Sequence, residues 1–176
     1  MRAHRCIAQK VHDTTSAAPH SNLTEMEPIA PNVVDLTDSL SRVVRWATLP
    51  RFTERVADEA GVRLDRSAYV LLVRLGERSW RVGELADHLC LDVSTVSRQV
   101  QALEEAGLAR REPHPTDRRG WVVVIDEGGR LALEAHRRAR RQIFAELLAD
   151  ATVDELDTVA SVLHRLAERI ETYVGG

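Results

Sequence analysis

The sequence lacks several features on which whole classes of protein depend. Two cysteines in 176 residues exclude a disulfide-stabilised framework and suit a reducing, cytoplasmic location. No stretch approaches the roughly 20 apolar residues that a membrane-spanning helix needs, so we expect no membrane association. The chain also has no glycine-rich phosphate loop, no metalloprotease motif and no local serine–histidine–acid arrangement. We therefore expect neither an enzyme nor a bound cofactor or metal.

The overall charge is acidic, but the excess of acidic over basic residues lies in the last segment of the chain. A formal net charge of −3 accompanies 44% hydrophobic and 29% charged residues, an ordinary composition for a globular protein. Segment 151–176 alone carries five acidic residues against two arginines. Because local charge governs contact with phosphates, the net charge does not exclude a nucleic-acid partner.

Residues 92–108 have the pattern of a helix with one apolar face and one polar face. Asp92 stands at the expected N-cap, and Gly107 stands where a left-handed stop is expected. The apolar positions recur at spacings of three and four residues and predict a buried face: Val93, Val96, Val100 and Leu103. The polar face carries one arginine among short side chains: Ser94, Thr95, Arg98 and Gln101.

Such a slim polar face suits the major groove of DNA. Arg98 can bond guanine in bidentate fashion, while Ser94 and Thr95 can bond phosphates or bases. An ordinary solvent-facing helix would show the same pattern, so both interpretations of this helix alone stay open.

The following segment has the pattern of a β-hairpin with a basic tip. Two strands are predicted, Ala109–Glu112 and Trp121–Ile125, joined by a proline-rich turn. Arg118 and Arg119 at the tip could reach the minor groove of DNA, where the negative potential is strongest. We expect Asp117 to orient the loop by bonding backbone amides or a neighbouring arginine. A solvated charged loop is the alternative for these three residues.

Further helices are predicted around this unit. Val82–Leu89 has the size of the first helix of a helix-turn-helix pair, with Trp80–Arg81 as a minimal third strand. The others are a helix from Val33 to Ala60 that is kinked or broken at Pro50 and followed by a glycine stop at Gly61, one from Asp65 to Leu75 capped by Asp65, one from Glu127 to Leu148 capped by Asp126, and one that follows the capping box Thr152–Glu155. The first helix carries an apolar row that we expect to face inward: Val33, Leu36, Leu40, Val43, Val44 and Ala47. The last helix carries a second apolar row: Leu156, Val159, Leu163, Leu166, Ile170 and Tyr173.

The predicted fold class is mainly α with a small β-wing (α+β), a winged helix-turn-helix flanked by a helical dimerisation region. We assign residues 1–31 to a disordered extension, in which Met26 is a candidate start, and 32–64 to a dimerisation helix. Residues 65–125 form the DNA-binding domain and 126–176 further dimerisation helices. The terminal helices carry more apolar surface than a small winged unit can cover, which suggests intertwining with a second copy. A monomeric helical cap is the alternative.

With these motifs the chain resembles the multiple-antibiotic-resistance regulator (MarR) family of bacterial transcription factors. The resemblance rests on Glu84-Leu85-Ala86, on 92–108, and above all on the Pro-Thr-Asp-Arg-Arg-Gly motif at 115–120. It covers about residues 66–130 and implies a homodimer that binds double-stranded DNA. It also implies that Ser97 and Arg98 face bases in the major groove, and that Arg119, together with Arg118, enters the minor groove. His114 departs from the family pattern, which has an acidic or amide residue there more often.

In the resembled family, small aromatic or phenolic acids often occupy a crevice between the dimer helices and the winged domain. Trp46, Phe52 and Tyr69 are the scarce aromatic residues that could line such a pocket, with Arg45 or Arg51 available for a carboxylate. Each of the three aromatic residues could equally be plain core.

The sequence thus favours a sequence-specific transcriptional regulator, a homodimeric repressor that binds a pseudo-palindromic operator and is released by a small ligand. One alternative is a winged-helix module for protein contacts, since the fold does not guarantee DNA binding. Another is a metal-sensing repressor that uses the cluster 87–92. One thiolate and one imidazole are fewer ligands than a protein zinc site normally has. We therefore expect Cys90 to be a buried apolar residue and His88 to lie on the surface.

Overall fold

Seven helices and one β-hairpin form the computed structural model over the residues that it describes, 29–117 and 120–175. This order confirms the predicted helical fold with a small wing. The helices are α1 (Pro31–Ala47), α2 (Pro50–Ala60), α3 (Arg66–Glu77), α4 (Val82–Leu89), α5 (Val93–Glu105), α6 (Glu127–Leu147) and α7 (Val153–Gly175), and the strands are β1 (Ala109–Pro113) and β2 (Trp121–Ile125).

The N-terminal helix is divided at Pro50, as its sequence predicts. Pro50 is the first residue of α2, where its missing N–H would have no intrahelical partner in any case. Gly61 ends α2 with φ of 67°, a left-handed conformation that a side chain would strain. The predicted extension 1–31 and the candidate start Met26 lie outside the described residues, except for 29–31, and α1 already begins at Pro31.

The main core lies between α3, α4, α5 and the hairpin. Its largest fully buried side chains are Leu71, Leu72, Leu85, Val96, Val100 and Val123. The strands pair antiparallel, from Ala109 opposite Ile125 to Pro113 opposite Trp121. Trp80 adds a single bridge to Val123, with N···O distances of 3.1 and 2.8 Å, which confirms the Trp80 half of the predicted third strand. Arg81 is instead the N-cap residue of α4.

A second, smaller core joins α2 to α6. Val56, Ala139 and Ile143 are buried there, and the rings of Phe52 and Phe144 pack edge to face at 6.0 Å. This cluster continues along α6 from the main core, so one long helix links the winged unit to the terminal helices.

The apolar rows of α1 and α7 do not contribute to either core. We expected the row of α1 to point inward, but no residue of α1 is buried, and Val44 is 62% exposed. In α7, Val159 is 55% and Ile170 is 51% exposed. Exposed apolar rows of this length are a feature of surfaces that contact another molecule. None of the described helices is both long enough and apolar enough to cross a bilayer.

Asp65 and Asp92 both stand at helix N-caps, but only Asp65 makes a side-chain capping hydrogen bond. The Asp65 carboxylate accepts the Ala68 N–H at 2.8 Å, which together with the Ser67 hydroxyl lowers the pKa of Asp65. Asp92 stands at the N-cap of α5 with the same extended backbone but makes no side-chain cap bond. The predicted cap is thus correct in position at Asp92 but lacks the expected hydrogen bond.

We expect Asp65→Ala to lower the free energy of unfolding by about 1 kcal/mol at neutral pH. Because the pKa of Asp65 is lowered by folding, its contribution is present above the ordinary value of 3.8 and is lost as the pH falls below it. Urea unfolding at several pH values measures this difference, with Asp92→Ala as the matched control. Equal losses for the two variants, or a loss from Asp65→Ala that does not shrink in acid, would contradict the capping role.

Candidate nucleic-acid interface

Helices α4 and α5 form a compact helix-turn-helix pair. The turn between them is closed by backbone hydrogen bonds from Leu91 to Ala86, at 2.9 Å, and from Cys90 to Asp87, at 3.2 Å. Cys90 adopts a left-handed conformation with φ of 54° and is exposed. Our expectation that Cys90 is buried is therefore wrong, because the residue ends α4 at the surface rather than facing the core.

Helix α5 presents the predicted polar face to solvent. Val96, Val100 and Leu103 are buried and fix the opposite face. Of the predicted DNA-contacting side chains of α5, Ser94, Arg98 and Gln101 are exposed, and Thr95 and Ser97 are half-buried.

Arg98 makes no hydrogen bond or ion pair with any residue in the described part of the chain, and Gln101 donates to Glu105 Oε1 at 2.9 Å. Val93 was predicted to belong to the buried face but is 53% exposed. It is the first residue of α5, where the helix extends beyond the core.

The end of α5 is fixed by the predicted glycine stop. Gly107 has φ of 68°, and its N–H bonds the carbonyl oxygen of Glu104 at 3.0 Å. The Leu108 N–H bonds the carbonyl oxygen of Leu103 at 2.8 Å, which completes the Schellman arrangement. This stop turns the chain directly into β1, so that α5 and the hairpin share one hydrogen-bonded junction.

The described part of the wing tip is held by its own polar groups. The ring nitrogen Nδ1 of His114 accepts the N–H groups of Thr116 and Asp117 at 3.3 and 3.2 Å. The Gly120 N–H bonds the carbonyl oxygen of Asp117 at 2.9 Å, and the His114 N–H bonds that of Gly120 at 2.9 Å. His114 thus supplies an acceptor that orders the turn.

Asp117 is also anchored to the winged unit from outside the hairpin. The Arg81 guanidinium donates to Asp117 Oδ2 at 2.8 Å, and both side chains are partly exposed. We expected Asp117 to bond backbone amides or a neighbouring arginine, and Arg81 was not identified as that arginine. No local signal could have identified it, because 36 residues separate the two. The predicted contacts Arg118 and Arg119 lie outside the described residues.

The other arginines of the hairpin are engaged in ion pairs. Arg110 lies 2.6 Å from Glu112 and 3.0 Å from Asp126, and the hydrogen bond with Glu112 raises the pKa of Arg110. Arg111 lies 3.4 Å from Glu104. Arg110 and Arg111 are thus paired with carboxylates. Among the described arginines of α5 and the hairpin, only Arg98 has an exposed guanidinium without an ion-pair partner.

A cavity of about 350 Å³ brings together two of the three predicted pocket residues. Trp46 and Phe52 line it with Phe144 and Leu147, and Arg42 is its basic residue rather than Arg45 or Arg51. Tyr69 does not belong to this cavity, which corrects the prediction. Its ring lies against the main core instead, 6.2 Å from the ring of His136 and 5.1 Å from the guanidinium carbon of Arg140.

The cluster 87–92 does not converge on one point. His88 is exposed, as expected, and its ring packs 4.9 Å from that of Trp80. Partial burial, with Arg74 nearby, lowers the pKa of His88. Within residues 29–117 and 120–175, no three His, Cys, Asp or Glu side chains are arranged to hold a metal ion.

Comparison with known proteins agrees with this geometry. The MarR family model matches residues 64–120. The helix-turn-helix-type transcriptional regulator YxaD of Bacillus subtilis (strain 168) is 36% identical over 104 residues, which cover 58% of this chain and 73% of that protein. The chain spans about half the length of several further curated relatives.

Solved structures show the same fold. A probable transcriptional regulator from Pseudomonas aeruginosa is 31% identical with a TM-score of 0.53, over 74% of this chain and 98% of that one. A crystal structure of MarR is 25% identical with a TM-score of 0.63, over 86% of this chain and 99% of that one. From its sequence relatives and its fold together, this chain belongs to the MarR family of helix-turn-helix transcriptional regulators.

Proposed function

We propose that this protein is a homodimeric repressor that reads a pseudo-palindromic operator and is released from it by a small ligand. The observation that carries the proposal is the outer face of α5. It exposes Ser94, Arg98 and Gln101 beside a wing whose tip is anchored through Asp117. A recognition helix contacts DNA bases through its exposed polar face, and these contacts decide which sequence the protein prefers.

Each polar side chain of this face has a defined chemical task. Arg98 projects an unpaired guanidinium that can bond the O6 and N7 atoms of guanine together. Ser94, Thr95 and Ser97 are short enough to let the helix approach the groove and to bond phosphates or base edges, and Gln101 can bond adenine or a phosphate.

The wing supplies a second contact in this proposal. Arg119, with Arg118, enters the minor groove, where negative potential favours arginine. Asp117 acts as a positioning residue, because its ion pair with Arg81 ties the loop before these arginines to the chain just ahead of α4. His114 stiffens the same loop through its two amide contacts.

The terminal helices support the proposed dimer. The apolar rows of α1 and α7 stay exposed in the single chain, and a second copy related by a two-fold axis would cover both rows at once. Two recognition helices placed about 34 Å apart then match successive turns of DNA on one face, which requires a pseudo-palindromic site.

The ligand site proposed here is the cavity between α1, α2 and α6. Trp46, Phe52 and Phe144 offer flat apolar walls, and Arg42 offers a charge partner for a carboxylate, so a small aromatic acid fits its chemistry. Since α6 runs from this cavity to the winged unit, a ligand that favours one position of α6 changes the spacing of the recognition helices.

Substitution of Arg98 tests the base-reading role. We expect Arg98→Ala to lower affinity for a selected operator by about 1–3 kcal/mol and to relax preference at one position of each half-site, because a bidentate guanine contact is lost. Fluorescence anisotropy against the operator and its single-base variants measures both effects. Arg63→Ala is the matched control, since Arg63 is 79% exposed and pairs only with Asp58 among the described residues.

Substitution of Arg119 in the wing should affect DNA binding differently from substitution of Arg98. Arg119→Ala should weaken binding to all sequences and reduce the slope of log affinity against log salt by about 0.9 for each phosphate-equivalent contact that is lost. If Arg98→Ala and Arg119→Ala both bind like the parent across a salt titration, this face does not contact DNA, and a protein-contact module becomes the better description.

A further inference from the structure

Val93 exposes an apolar side chain at the edge of the surface that carries the predicted DNA contacts. It is the first residue of α5 and is 53% exposed, whereas the next apolar residues of the helix, Val96 and Val100, are fully buried. The side chain of Val93 therefore contributes little to the core, although helical spacing alone would assign it there.

Helical spacing also fixes the neighbours of Val93. Residues four apart lie side by side on a helix, so Val93, Ser97 and Gln101 form one row. Ser94 and Arg98 form the adjacent row at the centre of the polar face of α5. The row of Val93 borders the buried face, so Val93 is the exposed apolar residue at the N-terminal edge of this polar surface.

The major groove offers few groups that suit a branched apolar side chain. Base edges there present hydrogen-bond donors and acceptors, and the apolar exception is the C5-methyl group of thymine. The first residues of a recognition helix are those that contact base edges. We propose that Val93 packs against a thymine methyl group in each half-site and so determines specificity at that position. The inference rests on the proposed function.

Deoxyuridine scanning tests this contact directly. Deoxyuridine keeps every hydrogen-bonding group of thymine and lacks only the methyl group. Each thymine of the selected operator is replaced by deoxyuridine in turn, and the affinity of the protein for each variant is measured. For one thymine in each half-site we expect affinity to fall about fourfold, the equivalent of about 0.8 kcal/mol for one buried methyl-sized group. Anisotropy titration at fixed salt measures the change.

Combining Val93→Ala with the deoxyuridine replacement distinguishes a direct contact between Val93 and the methyl group from a general loss of DNA affinity. For Val93→Ala, the same deoxyuridine replacement should cost less than about 1.5-fold, because the partner of the methyl group is already gone. Val153→Ala is the matched control, since Val153 is also the first residue of a helix and is 72% exposed. It should retain the full fourfold effect.

The possible results separate this inference from the proposed function. A protein that selects no sequence refutes both. Specific binding with a flat deoxyuridine scan, a half-site without thymine, or an undiminished scan in Val93→Ala refutes the role of Val93 and leaves the proposed function standing.

Discussion

Replacing Gly129 by alanine is expected to lower the free energy of unfolding by roughly 3 kcal/mol, the upper end of what overpacking usually costs. Gly129 is buried in the first turn of α6, against the glycine stop of α5. A methyl group there would overlap the carbonyl oxygen of Leu108 and lie 2.9 Å from Cγ1 of Ile125. The Leu108 oxygen is fixed because it accepts the Asp126 N–H at 3.0 Å, so it cannot move aside cheaply.

The sign of this effect is the informative part. Alanine replacing glycine within a helix ordinarily stabilises it by up to about 1 kcal/mol. Gly83→Ala is the matched control, because a methyl group at Gly83 in α4 meets no atom within 4 Å. Urea unfolding at fixed protein concentration should show a loss for Gly129→Ala and none for Gly83→Ala. Equal behaviour of the two variants would mean that α6 does not pack closely on the stop of α5.

The second large effect concerns the proposed dimer. Leu163→Glu should raise the dimer dissociation constant by about 100-fold or more, because two-fold symmetry repeats the contact and so buries one carboxylate in each of two equivalent apolar contacts. Leu163 lies in the apolar row of α7 and is 39% exposed in the single chain. Operator affinity should fall with it, since a monomer engages one half-site only. Sedimentation velocity over a concentration series measures the first change and anisotropy the second.

Ser161→Glu controls for added charge on the same helix. Ser161 is exposed, and helical spacing places it on the side of α7 opposite the apolar row. It should leave both sedimentation and operator affinity unchanged. Dissociation by Ser161→Glu, or an unaffected dimer for Leu163→Glu, would place the contact on a different face of α7.

Local signals in the sequence predicted the helix and strand boundaries well. The glycine stops at Gly61 and Gly107 and the caps at Asp65 and Asp126 all stand at the ends of helices in the structure. Such signals act through hydrogen bonds within a few residues, so they can be identified in a single sequence. The division into a DNA-binding domain and dimerisation regions, and the roles given to their residues, stay predictions.

The errors arose where the answer depends on distant parts of the chain. Helical periodicity placed Val93 on the core side of α5 but could not show that the core ends before it. The apolar row of α1 was expected to point inward, since periodicity identifies a face but not what covers it. Tyr69 was grouped with Trp46 and Phe52 by composition, whereas the fold places it against His136. The Arg81–Asp117 pair depends on how the strands pair, which no local pattern encodes.

Selection of bound sequences from a random duplex library by the purified protein tests the central claim most directly. A two-fold dimer with paired recognition helices predicts an enriched inverted repeat whose half-sites are centred about 10 base pairs apart. Contradiction would come from a library that stays unenriched, or from a single asymmetric site with no inverted partner.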